Sequence, residues 1–272
     1  MNRTFKLPDP ATCAAYREYG AVRLRGVIGQ EWIDRLREGV EQNLVHPGPW
    51  AKRYTPAGNP GMFFGDYCNW ERIDAYRTFF FESPLKHFAA HLMASPKVNL
   101  YHEHVLVKEP GTLERTPWHH DQPYYPVDGR DIISFWIPLD PVARETCPEF
   151  IAGSQRWGRW FTPARFADSK AHPAAQEAHF EPIPDFEAER ERHRILAWAL
   201  DVGDCIAFHG LTVHGPPGNA AMLRRRAFSA RFTGADARFV PRAGFMSPPP
   251  PEAGGPQPGA VMDSDAFPVL LA

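Results

Sequence analysis

Two triplets in this 272-residue chain pair a histidine with an acid two positions on: His119-His120-Asp121 and His179-Phe180-Glu181. Residues i and i+2 of a strand point to the same side, so such a pair can offer two ligand atoms to one metal ion. The pattern alone decides nothing. With 12 histidines and 32 acidic residues, chance supplies about 1.4 such pairs. Context separates them. His179 and Glu181 stand beside Pro182 and Pro184 in a polar stretch without alternation, and read as the chance instance. His119 and Asp121 lie between a strand pattern ending at Lys108 and the apolar run 132–139.

Well downstream, Asp201-Val202-Gly203-Asp204 reads as a tight turn feeding a strand at 205–208, which leads to His209 and His214. Arg224-Arg225-Arg226 heads a further strand at 227–233. A His-x-Asp pair, a distant histidine and an arginine about ten residues later match the 2-His-1-carboxylate facial triad of non-haem iron(II) oxygenases. Three protein ligands on one face of an octahedron leave three sites for a bidentate 2-oxo acid and O₂. The planar fork of arginine suits the far carboxylate of 2-oxoglutarate.

The runs TPWHHDQPYYPVDGRDIISFWIPLD, EFIAGSQRWG and DVGDCIAFHGLTVHGPPGN, with RRRAFSARF after them, resemble the phytanoyl-CoA dioxygenase family over about residues 98–234. The resemblance implies a double-stranded β-helix (jelly-roll, cupin-like) core, iron(II), 2-oxoglutarate as co-substrate and O₂. It implies hydroxylation of an aliphatic C–H bond with release of succinate and CO₂. Carried over by position, His119, Asp121 and His214 would be the iron ligands. Arg225 would hold the 2-oxoglutarate carboxylate, with Trp136 and His104 beside the co-substrate. Three departures concern the substrate side: Thr146-Cys147-Pro148-Glu149 replaces an asparagine-glycine turn, Gln155 replaces a histidine, and Pro216 replaces a serine. They weaken the inference of a fatty acyl-CoA, and the formal charge of −2 turns the expectation towards a small metabolite. An isomerase or hydrolase on the same fold, or a non-catalytic binding module, are the rival readings.

Several positions have rivals. His209 competes with His214, but lacks an arginine at the right spacing. His120, next to a ligand position, must face the other way and suits a hydrogen-bonding role. Alternation places Arg225, Ala227 and Ser229 on one face, so Ser229 is a second carboxylate contact to consider, while Arg224 or Arg226 could replace Arg225. His102 shares the alternating run with His104. Tyr124, Tyr125, Trp157 and Trp160 could wall a substrate pocket, and Arg156, Arg159 and Arg165 could hold an anionic group.

The elements that must position these residues fall into two zones. The first 95 residues read as a helical layer: a helix capped by Asp9, opened by Pro10 and closed by Gly20, then helices over 31–44, 70–81 and 83–93. From 96 to 240 short period-two runs separated by Gly, Pro and Asp predict antiparallel β structure: 98–108, 118–121, 132–139, 149–151, 195–200, 205–208 and 227–233. Residues 157–193 read as an insertion and 241–272 as a proline-rich surface tail, giving one domain over 1–240. The formal charge of −2 excludes bulk electrostatic binding of nucleic acid. Four well-spaced cysteines argue against a disulfide framework. With no apolar segment for a membrane or a signal peptide, the expected location is cytoplasmic.

Overall fold

The computed structural model describes residues 5–112, 114–164, 171, 172, 177, 179–215, 223–251 and 253–272. Its first element, α1 (Pro10–Tyr19), begins as its sequence dictates: the Asp9 carboxylate accepts from the Thr12 N–H at 2.7 Å. It ends at Gly20, whose φ of 77° favours glycine. A side chain at Gly20 would also collide with Gln155 and Thr212, so the helix end packs directly on the β core. Helix α2 (Gln30–Val45) buries Ile33, Leu36 and Val40 along one stripe. Helix α3 (Asp74–Glu82) starts later than expected. Asn69 O receives the N–H groups of Arg72 and Ile73 in a turn, leaving the buried Trp70 ahead of the helix. Helix α4 (Leu85–Met93) follows Ser83, whose hydroxyl accepts from the Leu85 N–H.

Fifteen strands occur among the described residues. In chain order they are β1 (Ala21–Leu24), β2 (Lys52–Arg53), β3 (Phe63–Tyr67), β4 (Val98–Lys108), β5 (Val127–Asp128), β6 (Ile132–Pro138), β7 (Glu149–Ile151) and β8 (Trp160–Phe161). There follow β9 (Phe180–Glu181), β10 (Ile195–Leu196), β11 (Cys205–His209), β12 (His214–Gly215), β13 (Arg225–Gly234), β14 (Arg238–Phe239) and β15 (Val269–Leu271). The large sheet runs β1-β11-β6-β13-β4-β3-β2, with β15 also on β4; the small one runs β10-β7-β12. The helices pack on one face of the large sheet through Ile33, Leu36, Phe79, Phe80, Phe88 and inward residues of β4, β6 and β13. The other face is free to form a cavity.

Three expectations need correction. The segment 1–95 is not purely helical. It supplies β1, β2 and β3, whose four, two and five residues are too few for period two to show. Second, β4 does not alternate uniformly. Arg231 faces His102 while Phe232 faces Leu100, so Tyr101 is a bulge residue. The bulge lets Val98, Leu100, Val105 and Val107 all join the helix-side core, while His102, His104 and Leu106 line the cavity. Third, 241–272 is no passive tail. Strand β15 pairs with β4, and Met262 and Phe267 are buried against Tyr101 and Tyr125. Two strands are also shorter than expected. At 118–121 only His119 pairs, as a single bridge, before the chain turns into a 3-10 segment at Gln122–Tyr124. Of 195–200, Ile195–Leu196 forms the strand and Leu200 bridges to Val142. No helix among the described residues is long and apolar enough to cross a membrane.

Candidate metal centre

The expected pair and the distant histidine meet. His119 and His214 form an antiparallel bridge, each N–H donating to the other's carbonyl, at 2.9 and 2.7 Å. His214 is also paired with Phe150 in β7, whose ring stacks on its imidazole. Each imidazole uses Nδ1 on the backbone, His119 on Pro117 O (2.8 Å) and His214 on Thr212 O (3.0 Å). A carbonyl only accepts, so both Nδ1 atoms carry the proton and both Nε2 atoms keep a lone pair. These Nε2 atoms stand 3.7 and 3.8 Å from Asp121 Oδ1, beyond hydrogen-bond length. Three ligand atoms therefore converge within 4.8 Å without bonding one another, the only such group among the described residues.

The electrostatics suit a cation. Burial lowers His119 to about 3 and also lowers His214, which favours the neutral ring in both. Burial acts to raise Asp121, but Arg231 and the two histidines outweigh it and hold the carboxyl below its usual range. Its Oδ2 accepts from Ser134 Oγ at 3.2 Å and Arg231 Nε at 3.3 Å, leaving Oδ1 towards the histidines.

A cavity of about 410 Å³ opens beside these residues. Strand register arranges its floor in rows: Ser134, Arg231 and His102 nearest Asp121, then Trp136, Ser229 and His104. Ser229 Oγ and His104 Nε2 are buried without a hydrogen-bond partner. At the end of β13, Arg225 lies opposite Lys108. Tyr54, Tyr67, Tyr124 and Tyr125 form much of the wall. Gly65 is required here, since a side chain would strike the Tyr54 ring at 2.8 Å and His104 at 3.2 Å.

The model of one family, phytanoyl-CoA dioxygenase, matches residues 16–227. The chain belongs to the phytanoyl-CoA dioxygenase family. It is 24% identical to the human peroxisomal phytanoyl-CoA dioxygenase over 150 residues, 53% of this chain and 42% of that one. The chain thus matches less than half the length of that relative. To the dioxygenase aneA of Aspergillus aculeatus it is 24% identical over 235 residues, 77% of this chain and 67% of that one. Among solved structures, the non-haem α-ketoglutarate-dependent epimerase SnoN of nogalamycin biosynthesis superposes with a TM-score of 0.74 at 22% identity, covering 96% of this chain and 100% of its own. EctD of S. alaskensis, solved with 2-oxoglutarate and 5-hydroxyectoine, gives 0.67 at 15%, covering 94% and 86%. The fold is the double-stranded β-helix of these enzymes.

Within this family member the other expected residues divide. Trp136 and His104 line the cavity. Arg225 is buried on the cavity-facing side of β13 but stops short of the cavity, its guanidinium donating to Thr146 O. Its neighbours are accounted for: Arg224 pairs with Glu41 and Glu109, and Arg226 with Asp140 and Glu41. His120 turns away, and its Nε2 accepts from Phe161 N–H at 2.7 Å. Tyr124 and Tyr125 reach the cavity, whereas Trp157 packs with Phe186, and Arg242 lies over Trp160. Gln155 donates to Arg17 O at the end of α1. Arg156 is exposed and Arg159 pairs with Glu181, while Arg165 and Pro216 lie outside the described residues. Sequence reasoning missed Arg231 and the wall residues Phe245 and Ser247. Arg231 was within reach, because alternation from Arg225 through Ser229 lands on it.

Proposed function

We propose that this protein is an iron(II)- and 2-oxoglutarate-dependent dioxygenase that hydroxylates an aliphatic C–H bond of a small molecule. The observation that carries this reading is the convergence of two histidine lone pairs, fixed by their Nδ1 hydrogen bonds, on one oxygen of an ionised aspartate. Neutral imidazoles plus one carboxylate form the donor set that non-haem iron(II) oxygenases use. Bound iron(II), with 2-oxoglutarate and O₂, supplies the oxidant and yields succinate and CO₂.

The chain's own residues do the rest. His119, Asp121 and His214 hold the metal on one side, leaving the cavity side open. Trp136, Ser229 and His104 form the floor beside it, and the two orphaned polar atoms there suit an oxygen-rich co-substrate. Arg225, further along the same strand face, anchors the far carboxylate by turning its fork from Thr146 O towards the cavity. Tyr124, Tyr125 and Phe245 wall off water and leave a largely aromatic space for a substrate the size of a metabolite.

The test is optical. Anaerobic addition of iron(II) and then 2-oxoglutarate should produce a visible metal-to-ligand charge-transfer band. A folded protein that gives none would overturn the reading.

A further inference from the structure

Asp121 has two oxygens, and only one faces the histidines. A free carboxylate can rotate, chelate an ion through both oxygens, or swing away. This one is held on its other side. Ser134 Oγ and Arg231 Nε both donate to Oδ2, and the Tyr125 hydroxyl interacts with both Asp121 and Arg231. Ser134 and Arg231 are register partners on adjacent strands, so the large sheet itself sets their spacing. Arg231 is buried, and its Nη1 donates to Ser229 O at 3.4 Å, a second hold on the guanidinium. The β4 bulge at Tyr101 falls directly opposite, where the register breaks between Arg231 and Phe232. Bulges re-aim side chains. This one lets Leu100 join the helix-side core while His102, the partner of Arg231, faces the cavity.

We infer that Arg231 is the positioning residue of the metal centre, locking Asp121 as a one-oxygen ligand. The inference rests on the proposed iron site and adds a role that the triad pattern does not contain. The lock works by geometry and charge together. A guanidinium donor takes Oδ2 out of competition for the metal, and its positive charge compensates the buried carboxylate before any ion arrives. Lysine would supply the charge without the planar fork.

The experiment uses the metal-free full chain, titrated with Co(II) and followed by its d–d absorption, so no turnover is needed. Arg231→Met should weaken Co(II) binding by about 10- to 100-fold, as losses of outer hydrogen bonds to metal ligands do. Arg231→Lys should fall between Met and wild type. Far-UV circular dichroism and a urea midpoint check folding. Should Arg231→Met not fold, Ser134→Ala, which removes the other Oδ2 donor and little volume, should weaken Co(II) about tenfold. Unchanged or tighter Co(II) binding in folded variants would overturn the inference and leave the iron reading standing. Wild-type protein that binds no Co(II) or iron(II) would overturn both.

Discussion

His119-His120-Asp121 and His179-Phe180-Glu181 carry the same His-x-acid pattern and meet opposite environments. In the first, the acid and the first histidine are buried, the histidine is bridged to His214, and its proton is fixed on Nδ1. In the second, His179 is exposed and packs edge-on to Trp160, while Glu181 Oε2 accepts from both Nε and Nη2 of Arg159, at 2.9 and 2.7 Å. A carboxylate already matched by a guanidinium in water has little to gain from a metal. A buried one beside two uncharged lone pairs has much to gain. Environment, rather than spacing, assigns the chemistry.

The sharpest way to break this comparison is to delete one histidine from each triplet. His119→Ala or His214→Ala should abolish 2-oxoglutarate-dependent succinate formation, measured by mass spectrometry. His179→Ala should stay within about twofold of wild type, as expected for an exposed side chain away from the site. Equal loss in His119→Ala and His179→Ala would show that the wrong triplet has been assigned.

The same contrast runs through the three consecutive arginines. Arg224 and Arg226 are neutralised by Glu41, Glu109 and Asp140, whereas Arg225 is buried on the cavity side and lowered to about 10 by that burial. Arg225→Ala should therefore raise the KM for 2-oxoglutarate at least tenfold, the cost of one lost charge-assisted contact. Co(II) affinity should stay unchanged. Arg224→Ala should move neither quantity. A normal KM in Arg225→Ala would hand the anchoring role to another cation.

Legibility followed the length of the repeating pattern. Helix α1 was readable from its cap, first-turn proline and closing glycine, and α2 from an apolar stripe along its sixteen residues. The candidate triad was readable from its spacing, a His-x-Asp pair followed by a distant histidine and an arginine about ten residues later. Strands β1 to β3 were too short to show it. The β4 bulge was invisible because one inserted residue changes face assignment without changing composition. Arg231 looked like one more basic residue, since its partner Asp121 is 110 positions away. The proline-rich end misled most. Its Phe245 and Ser247 line the cavity, and Arg242, a residue with no local pattern, ties the chain just before them to Tyr125, Val127 and Asp128.

Arg242 and Arg159 make the next pair to test. Arg242 is buried, donates to Tyr125 O and Val127 O, and pairs with Asp128 at 2.6 Å. Arg159 makes its ion pair in solvent, about two-fifths exposed. Arg242→Ala should lower urea stability by about 2–3 kcal/mol, because two buried carbonyls lose a charged donor. Arg159→Ala should cost under about 1 kcal/mol. Similar losses would mean that the C-terminal segment is attached elsewhere.

His209 and His214 give the smallest and cleanest contrast. They lie five positions apart, yet only His214 keeps a ring nitrogen for a metal. His209 donates through Nε2 to Arg130 O at 2.8 Å and accepts at Nδ1 from Leu211 N–H at 3.0 Å. Burial lowers His209 to about 4, so it remains neutral in the folded chain where an unfolded histidine would titrate near 6.5. Below pH 6.5 the unfolded state takes up a proton that the native ring refuses, so stability falls as pH drops. The contribution is about 1.4 kcal/mol per pH unit and levels off near pH 4. In metal-free protein, His209→Gln keeps a side-chain donor but cannot titrate. Its urea-derived stability should fall less than wild type between pH 6.5 and 5, by about 2 kcal/mol. Parallel pH curves would show that His209 already shares its proton in the native state, and that burial alone does not separate it from His214.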